Sequence, residues 1–207
     1  MLLTEADSRA ITARLLGYVK ADDAVVFLQS EDYSHVRFAA NTFLTSGKRE
    51  RTTARVTVWI DKRRGSSSTT DLSDAALKQA VEDAQTFARL APVDVEYLPS
   101  LAQQTYRAGQ GWVDATARVD LPARARQISE AIAQSEKAKI IGAGFHEVGL
   151  LAQATATAHG NFHYERGSIV GLAMTARTPD GSGSGYFARN HLDVARLDTG
   201  HIAREAI

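Results

Sequence analysis

Apolar positions along this chain repeat at intervals of four, then two, then four again, and each change of interval marks a new element. Ile11, Leu15 and Val19 recur at four-residue spacing, which is the stripe of a helix. Thr4 stands where its cap belongs, Asp7 follows three residues later as a capping-box variant, and Asp22-Asp23 ends the pattern. Residues 24–29 and 35–39 read as two buried strands. Across residues 52–60 the alternation is strict. Ala54, Val56, Val58 and Ile60 point one way and Thr53, Arg55, Thr57 and Trp59 the other, which predicts a sheet with one covered and one wetter face. Arg63-Arg64-Gly65 reads as a turn, and residues 66–70 as polar but strand-tolerant.

Ser73 caps a second helix with Leu77, Val81, Ala84 and Ala88 on its inner face and Pro92 at its stop. Those inner side chains are small, so the helix can lie close on a sheet. Residues 93–119 read as an irregular connection, a linker or an exposed functional segment, with Gly109, Gly111 and Trp112 in its middle. Asp120-Leu121-Pro122 opens a third helix with Ile128, Ala131 and Ile132 inward. From Lys139 the two-residue period returns over 139–158, 162–164, 168–177 and 185–188, the pattern of an antiparallel meander. Asp198 caps a last helix running into Ile207. The expected fold is α+β, a curved and mostly antiparallel sheet with helices packed against it. The expected division is an N-terminal α+β part over 1–92, the connection 93–119, and a helix, meander and terminal helix over 120–207. No internal repeat or low-complexity tract interrupts the chain.

Composition narrows the class. A length of 207 residues with 44% apolar content fits one large domain or two small ones with a real core. Twenty-four basic and 24 acidic residues cancel, so no global charge draws the chain to nucleic acid or anionic membrane. Cysteine is absent, which excludes disulfides and thiolate metal sites and suits a cytoplasmic protein. The first residues turn polar at once, unlike a signal peptide, and no apolar run nears the roughly 20 residues of a bilayer span.

Five features invite a chemical reading. His146-Glu147 begins like a zinc-protease helix, but Leu150 stands where the second histidine belongs. His159, His163 and Glu165 surround a Gly-Asn turn and are the weak candidates for a metal; the competing reading is a polar hairpin. Arg49, Arg51, Arg55, Lys62, Arg63 and Arg64 form a basic cluster that could meet phosphates, or simply a solvated face or guarded edge, with Trp59 its sole aromatic. The run from Thr178 to Tyr186 has the glycines of a phosphate loop but no helix after them. Pro179-Asp180-Gly181 is turn chemistry, so the run predicts a β-hairpin with a long glycine tip. The serines at 66–68 and 182–184 lack the strand-to-helix elbow of a serine hydrolase. No residue of this chain emerges as catalytic, and none as cofactor-binding.

The order of these features resembles a family. Arg37-Phe38-Ala39 with Asn41, the long strand, Arg64-Gly65-Ser66-Ser67-Ser68-Thr69, Asp71-Leu72-Ser73, and a small-residue helix ending at Ala91-Pro92 are similar to the N-terminal part of the TldD/PmbA proteins. So are the run from Thr175 to Gly185, Leu197-Asp198 and the last helix. The likeness covers nearly the whole chain and rests on order, since no single motif is specific. One departure is Thr157-Ala158-His159-Gly160, where the family often has Asn-Ser-x-Gly. The Asp180–Gly185 hairpin looks closer to the PmbA-type branch, whose members can lack the zinc motif and pair with a zinc-bearing subunit.

The resemblance implies a metallopeptidase family, also named modulators of DNA gyrase, whose zinc-binding His-Glu-x-x-x-His helix lies in a C-terminal β-rich domain beyond this region. It implies no cofactor in this chain and zinc in the missing domain or a partner subunit. It further implies a cytoplasmic peptide-degrading or peptide-maturing assembly, a homo- or heterodimer with a family paralogue, and an unfolded peptide as substrate. On this resemblance the chain is a fragment, a truncated gene or one half of a split protein, and its expected role is a non-catalytic N-terminal domain supplying chamber walls and subunit contacts. The alternatives are a stand-alone binding module or, with less support from charge, a nucleic-acid- or gyrase-associated protein.

Overall fold

The computed structural model describes residues 2–207. The elements run α1 (Glu5–Tyr18), β1 (Asp23–Ala39), β2 (Thr42–Ile60), β3 (Arg63–Thr69), α2 (Asp74–Leu90), α3 (Asp114–Ala117), α4 (Leu121–Lys137), β4 (Ile141–Thr157), β5 (Phe162–Arg177), β6 (Ser184–His191), a 3-10 turn (Val194–Arg196) and α5 (Thr199–Ala206). The strands form one open antiparallel sheet in the order β3-β2-β1-β4-β5-β6, and the fold is α+β with helices packed on the sheet.

Several strands are longer than burial alone predicts. Residues 24–29 and 35–39 belong to one 17-residue strand, and residues 52–60 are the second half of a 19-residue strand. Residues 162–164 and 168–177 likewise join in β5. In β1 the alternation fades to uniform half-burial over residues 31–35, while pairing with neighbours keeps the backbone extended. The turn expected at Arg63-Arg64-Gly65 falls instead at Asp61-Lys62, whose φ values of 49° and 61° suit a two-residue hairpin of primed type, and Arg63 already opens β3. Ala40 and Asn41, at 49° and 59°, make the matching turn between β1 and β2.

The chain folds into two compact units, each assembled from three segments. The first comprises the chain up to Glu31, Glu50–Gly109 and Leu151–Arg166. Its core joins Leu15 of α1 and Leu77 and Val81 of α2 to Val26, Leu28, Val56 and Val58 of the sheet. Both helices start as their sequences demand. Thr4 Oγ1 accepts from the Asp7 amide at 3.1 Å while Asp7 Oδ2 accepts from the Thr4 amide at 3.3 Å, a complete capping box. Ser73 Oγ accepts from the Ala76 amide to start α2. The small residues of α2 bring it onto β3 so closely that a Cβ at Gly65 would collide with the Ala84 carbonyl oxygen and the Ala88 nitrogen.

The irregular stretch before α3 is fastened to this unit by one backbone bond and by side chains. Asp94 N–H donates to Lys62 O at 2.8 Å, and the Tyr97 ring lies 6.2 Å from that of Trp59. Asp23, 1% exposed, accepts the Ser100 amide at 2.6 Å. Asn161 accepts the Gln104 amide at 2.7 Å and donates to Leu101 O at 2.8 Å. These bonds give backbone groups the partners that a strand or helix would otherwise supply.

The second unit comprises Asp32–Arg49, Gln110–Leu150 and Gly167–Ile207. Ile128, Ala131 and Ile132 of α4 and Ile202 and Ala203 of α5 pack with Val148, Val170, Leu172 and Met174. Asp120 and Asp198 cap the two helices through 2.7 Å bonds from the Ala123 and His201 amides. The β1–β2 turn is tied to the start of β4 by Asn41, whose Oδ1 accepts from Gly142 N–H at 2.7 Å and whose Nδ2 donates to Ile140 O at 2.8 Å. No helix among the described residues is long and apolar enough to cross a membrane.

Candidate functional site

Helix α4 carries one charged residue on its apolar stripe. Arg124 precedes Ile128 by four positions and is only 4% exposed. Its guanidinium donates from Nη1 to Ser34 Oγ at 2.8 Å, from Nη2 to Ser34 O at 3.3 Å and His146 O at 3.2 Å, and from Nε to His146 Nδ1 at 3.4 Å. Every one of those acceptors is neutral. Burial lowers the guanidinium pKa, yet arginine remains a cation at physiological pH. The result is a buried positive charge in the first turn of a helix, the end where the helix dipole already disfavours cations.

His146 is fully buried. Accepting at Nδ1 leaves its proton on Nε2, which faces Gln127 Oε1 at 3.0 Å. Burial, reinforced by the neighbouring Arg124, pushes its pKa down to about 4, so the ring is neutral at pH 7. Beside it on β4, Glu147 Oε2 accepts from Tyr33 OH at 2.8 Å. Burial first, and then this bond, pushes the phenol up to about 12.

Arg124 lines a cavity of about 510 Å³ within the second unit. Ser34, Ser46 and the Lys48–Asp32 ion pair, at 3.1 Å, form its polar side, and Val119, Leu121 and Leu150 are among its apolar walls. Lys48 and Asp32 cancel, so apart from the His35 imidazole the lining carries one positive charge, that of Arg124. His35 stacks on Phe145 with centroids 5.2 Å apart at 18°. Gly47 leaves room for that ring, since a Cβ there would stand 2.7 Å from His35 Cε1.

The residues singled out in the sequence are distributed otherwise. His163 Nε2 meets Glu165 Oε2 at 3.7 Å, and the Tyr106 ring lies 4.8 Å from the imidazole. His159 Nε2 turns instead to Asp23 Oδ1 at 3.6 Å. Among the described residues no three His, Cys, Asp or Glu side chains are grouped to hold a metal. His146-Glu147 lies on a strand rather than a helix, and its two side chains serve different partners.

The basic cluster is divided among separate tasks. Arg63 Nη1 donates to Ala91 O at 2.6 Å, Arg49 lies over the Tyr33 ring, and Arg51 and Arg55 share a groove with Glu31 and Gln29. The glycine-rich run is the β5–β6 hairpin tip. Gly183 N–H donates to Thr178 Oγ1 and Ser182 N–H to Asp180 Oδ1, so donors that a phosphate would need are bound within the loop. Bonds from Thr178 and Ser182 hold the Asp180 carboxyl down at about 2. Arg124 escaped the sequence reading, although one signal was present: an arginine in register with the inward Ile128, Ala131 and Ile132.

Residues 24–87 match the family model of PmbA/TldA metallopeptidase domain 1. No curated protein matches the chain. Three solved structures share the fold. TldE from Thermococcus kodakarensis is 15% identical with a TM-score of 0.81, covering 98% of this chain and 46% of its own. A proposed modulator of a DNA gyrase from Thermotoga maritima is 14% identical with a TM-score of 0.83, covering 96% and 46%. A corresponding protein from Bacteroides thetaiotaomicron is 16% identical with a TM-score of 0.77, covering 98% and 49%. The chain therefore spans less than half the length of each of these structures. Residues 24–87 thus resemble domain 1 of the TldD/PmbA family, and the likeness to the three structures shows a shared fold. These matches do not separate the PmbA-type branch from the rest of the family.

Proposed function

We propose that this chain is the non-catalytic N-terminal domain of a TldD/PmbA-type zinc metallopeptidase, forming substrate-chamber walls and subunit contacts in a cytoplasmic assembly that degrades or matures peptides. One observation carries the reading: residues 24–87 match domain 1 of a metallopeptidase family, and the structural likeness takes in at least 96% of this chain but under half of each neighbour. In this reading zinc is held by the C-terminal domain or by a paralogous subunit, with which the chain forms a homo- or heterodimer around an unfolded peptide. Hydrolysis at zinc needs about three protein ligands and a general base in fixed geometry.

The test is peptide hydrolysis by the purified protein with zinc supplied, alone and after addition of a family paralogue bearing the His-Glu-x-x-x-His helix. No cleavage alone and cleavage with the paralogue is the expected result. Stoichiometric zinc on this chain alone, with hydrolysis lost in His163→Ala, would overturn the proposal.

A further inference from the structure

A buried arginine is ordinarily matched by a carboxylate, because an isolated charge away from water is expensive and its Coulombic partner offsets that cost. Arg124 has only hydroxyl, carbonyl and imidazole acceptors among the described residues. The positive end of α4 adds to the imbalance. Beside this charge lies a cavity of about 510 Å³ within the second unit, a size typical of small-molecule sites. Its one other fixed cation, Lys48, is paired with Asp32. The cavity is two-sided in chemistry, with Arg124, Ser34, Ser46 and the Lys48–Asp32 ion pair among its polar groups and Val119, Leu121 and Leu150 among its apolar walls. An inorganic anion would use only the polar groups. A carboxylate joined to an apolar body uses both: four of the five guanidinium N–H groups are bonded within the protein, and the fifth, on Nη1, and the Ser34 hydroxyl proton can each donate to one carboxylate oxygen.

We propose that the Arg124 cavity binds a carboxylic acid with an apolar body, the carboxylate seated at Arg124 and Ser34 and the body against Val119, Leu121 and Leu150. Two sources share this chemistry: a free small acid and the C-terminal residue of a peptide. The proposal rests on the cavity alone and does not depend on the chamber-wall reading.

The test is titration calorimetry of the purified protein with N-acetyl-leucine, N-acetyl-leucinamide, inorganic phosphate and a tetrapeptide ending in leucine with a free carboxyl group. N-acetyl-leucine should bind saturably at one site, with the amide and phosphate at least ~10-fold weaker, a step of one order in affinity. Arg124→Gln should abolish the acid's advantage over the amide. Because Arg124→Gln disturbs a buried network, Ser46→Trp provides the second variant. Ser46 is exposed on β2 and lines the cavity, so its replacement should leave the fold intact and block binding. A tetrapeptide as tight as the small acid identifies a chain terminus as the source, and one ~10-fold weaker identifies a free acid. Acid and amide binding equally, acid binding untouched by Ser46→Trp, phosphate displacing the acid, or no saturable binding of N-acetyl-leucine would each overturn the proposal.

Discussion

His146 takes a hydrogen bond from Arg124 at 3.4 Å, Nε to Nδ1, and the same contact that orients the ring opposes its protonation. The folded pKa is about 4 against an ordinary 6.5, so the unfolded chain binds the extra proton between those values. Stability contributed by the neutral ring is therefore complete above about pH 6.5 and falls as pH drops towards 4. The limiting loss is on the order of 3 kcal/mol for a shift of this size. Urea midpoints at pH 7 and pH 4.5 measure it. The drop should shrink in His146→Gln, and an unchanged drop would remove His146 as its source.

Gly65 should not tolerate even a methyl group. Gly65→Ala drives a Cβ into the Ala84 carbonyl of α2 and should destabilise the protein by about 1–3 kcal/mol, the usual range for overpacking. Gly17→Ala is the control. It lies in α1 with nothing within 4 Å of the added Cβ, and should be stabilising by up to about 1 kcal/mol through helix propensity. Thermal unfolding of the two variants reads both signs.

The β1–β2 turn separates two effects that share one backbone geometry. Ala40 holds φ at 49° without any side-chain bond to offset it, so Ala40→Gly should stabilise by about 1 kcal/mol. Asn41 holds φ at 59°, but its amide bridges to Ile140 and Gly142, so Asn41→Gly should destabilise in spite of the backbone relief. Equal shifts from the two substitutions would mean that the bridges contribute nothing.

Tyr33 should ionise late. Its pKa of about 12 lies above the ordinary tyrosine value of 10 through burial first and then the bond to Glu147 and its charge, with Arg49 and Arg124 opposing. In an alkaline titration followed at the phenolate absorbance, the signal lost in Tyr33→Phe should be that of the late-ionising group. Glu147→Gln should bring that group to lower pH.

Much of the architecture was legible because burial alternates plainly in the sheet and caps stand at the helix starts. The stripe Leu77, Val81, Ala84 and Ala88 predicted α2, and the same residues form its buried face. What sequence concealed was pairing beyond burial. Ser30, Glu31 and Asp32 carry no alternation, yet β1 runs through them because its neighbours hydrogen-bond there. The candidate cavity was hidden for another reason. Arg124, Ser34 and Lys48 lie far apart along the chain, and only the Arg124 register with Ile128 left a local trace. The glycine-rich tip was readable because Pro179-Asp180-Gly181 is a local instruction.

Each unit draws on three separate stretches of chain, and this orders events during synthesis. The first unit includes Leu151–Arg166, so its core lacks Ala154 and the flanking Phe162 and Tyr164 until the ribosome has passed those codons. Until then α1, α2 and the early strands wait with apolar surface uncovered, the condition in which nascent chains meet chaperones. A chain released before Leu151 would lack those residues and leave that surface open.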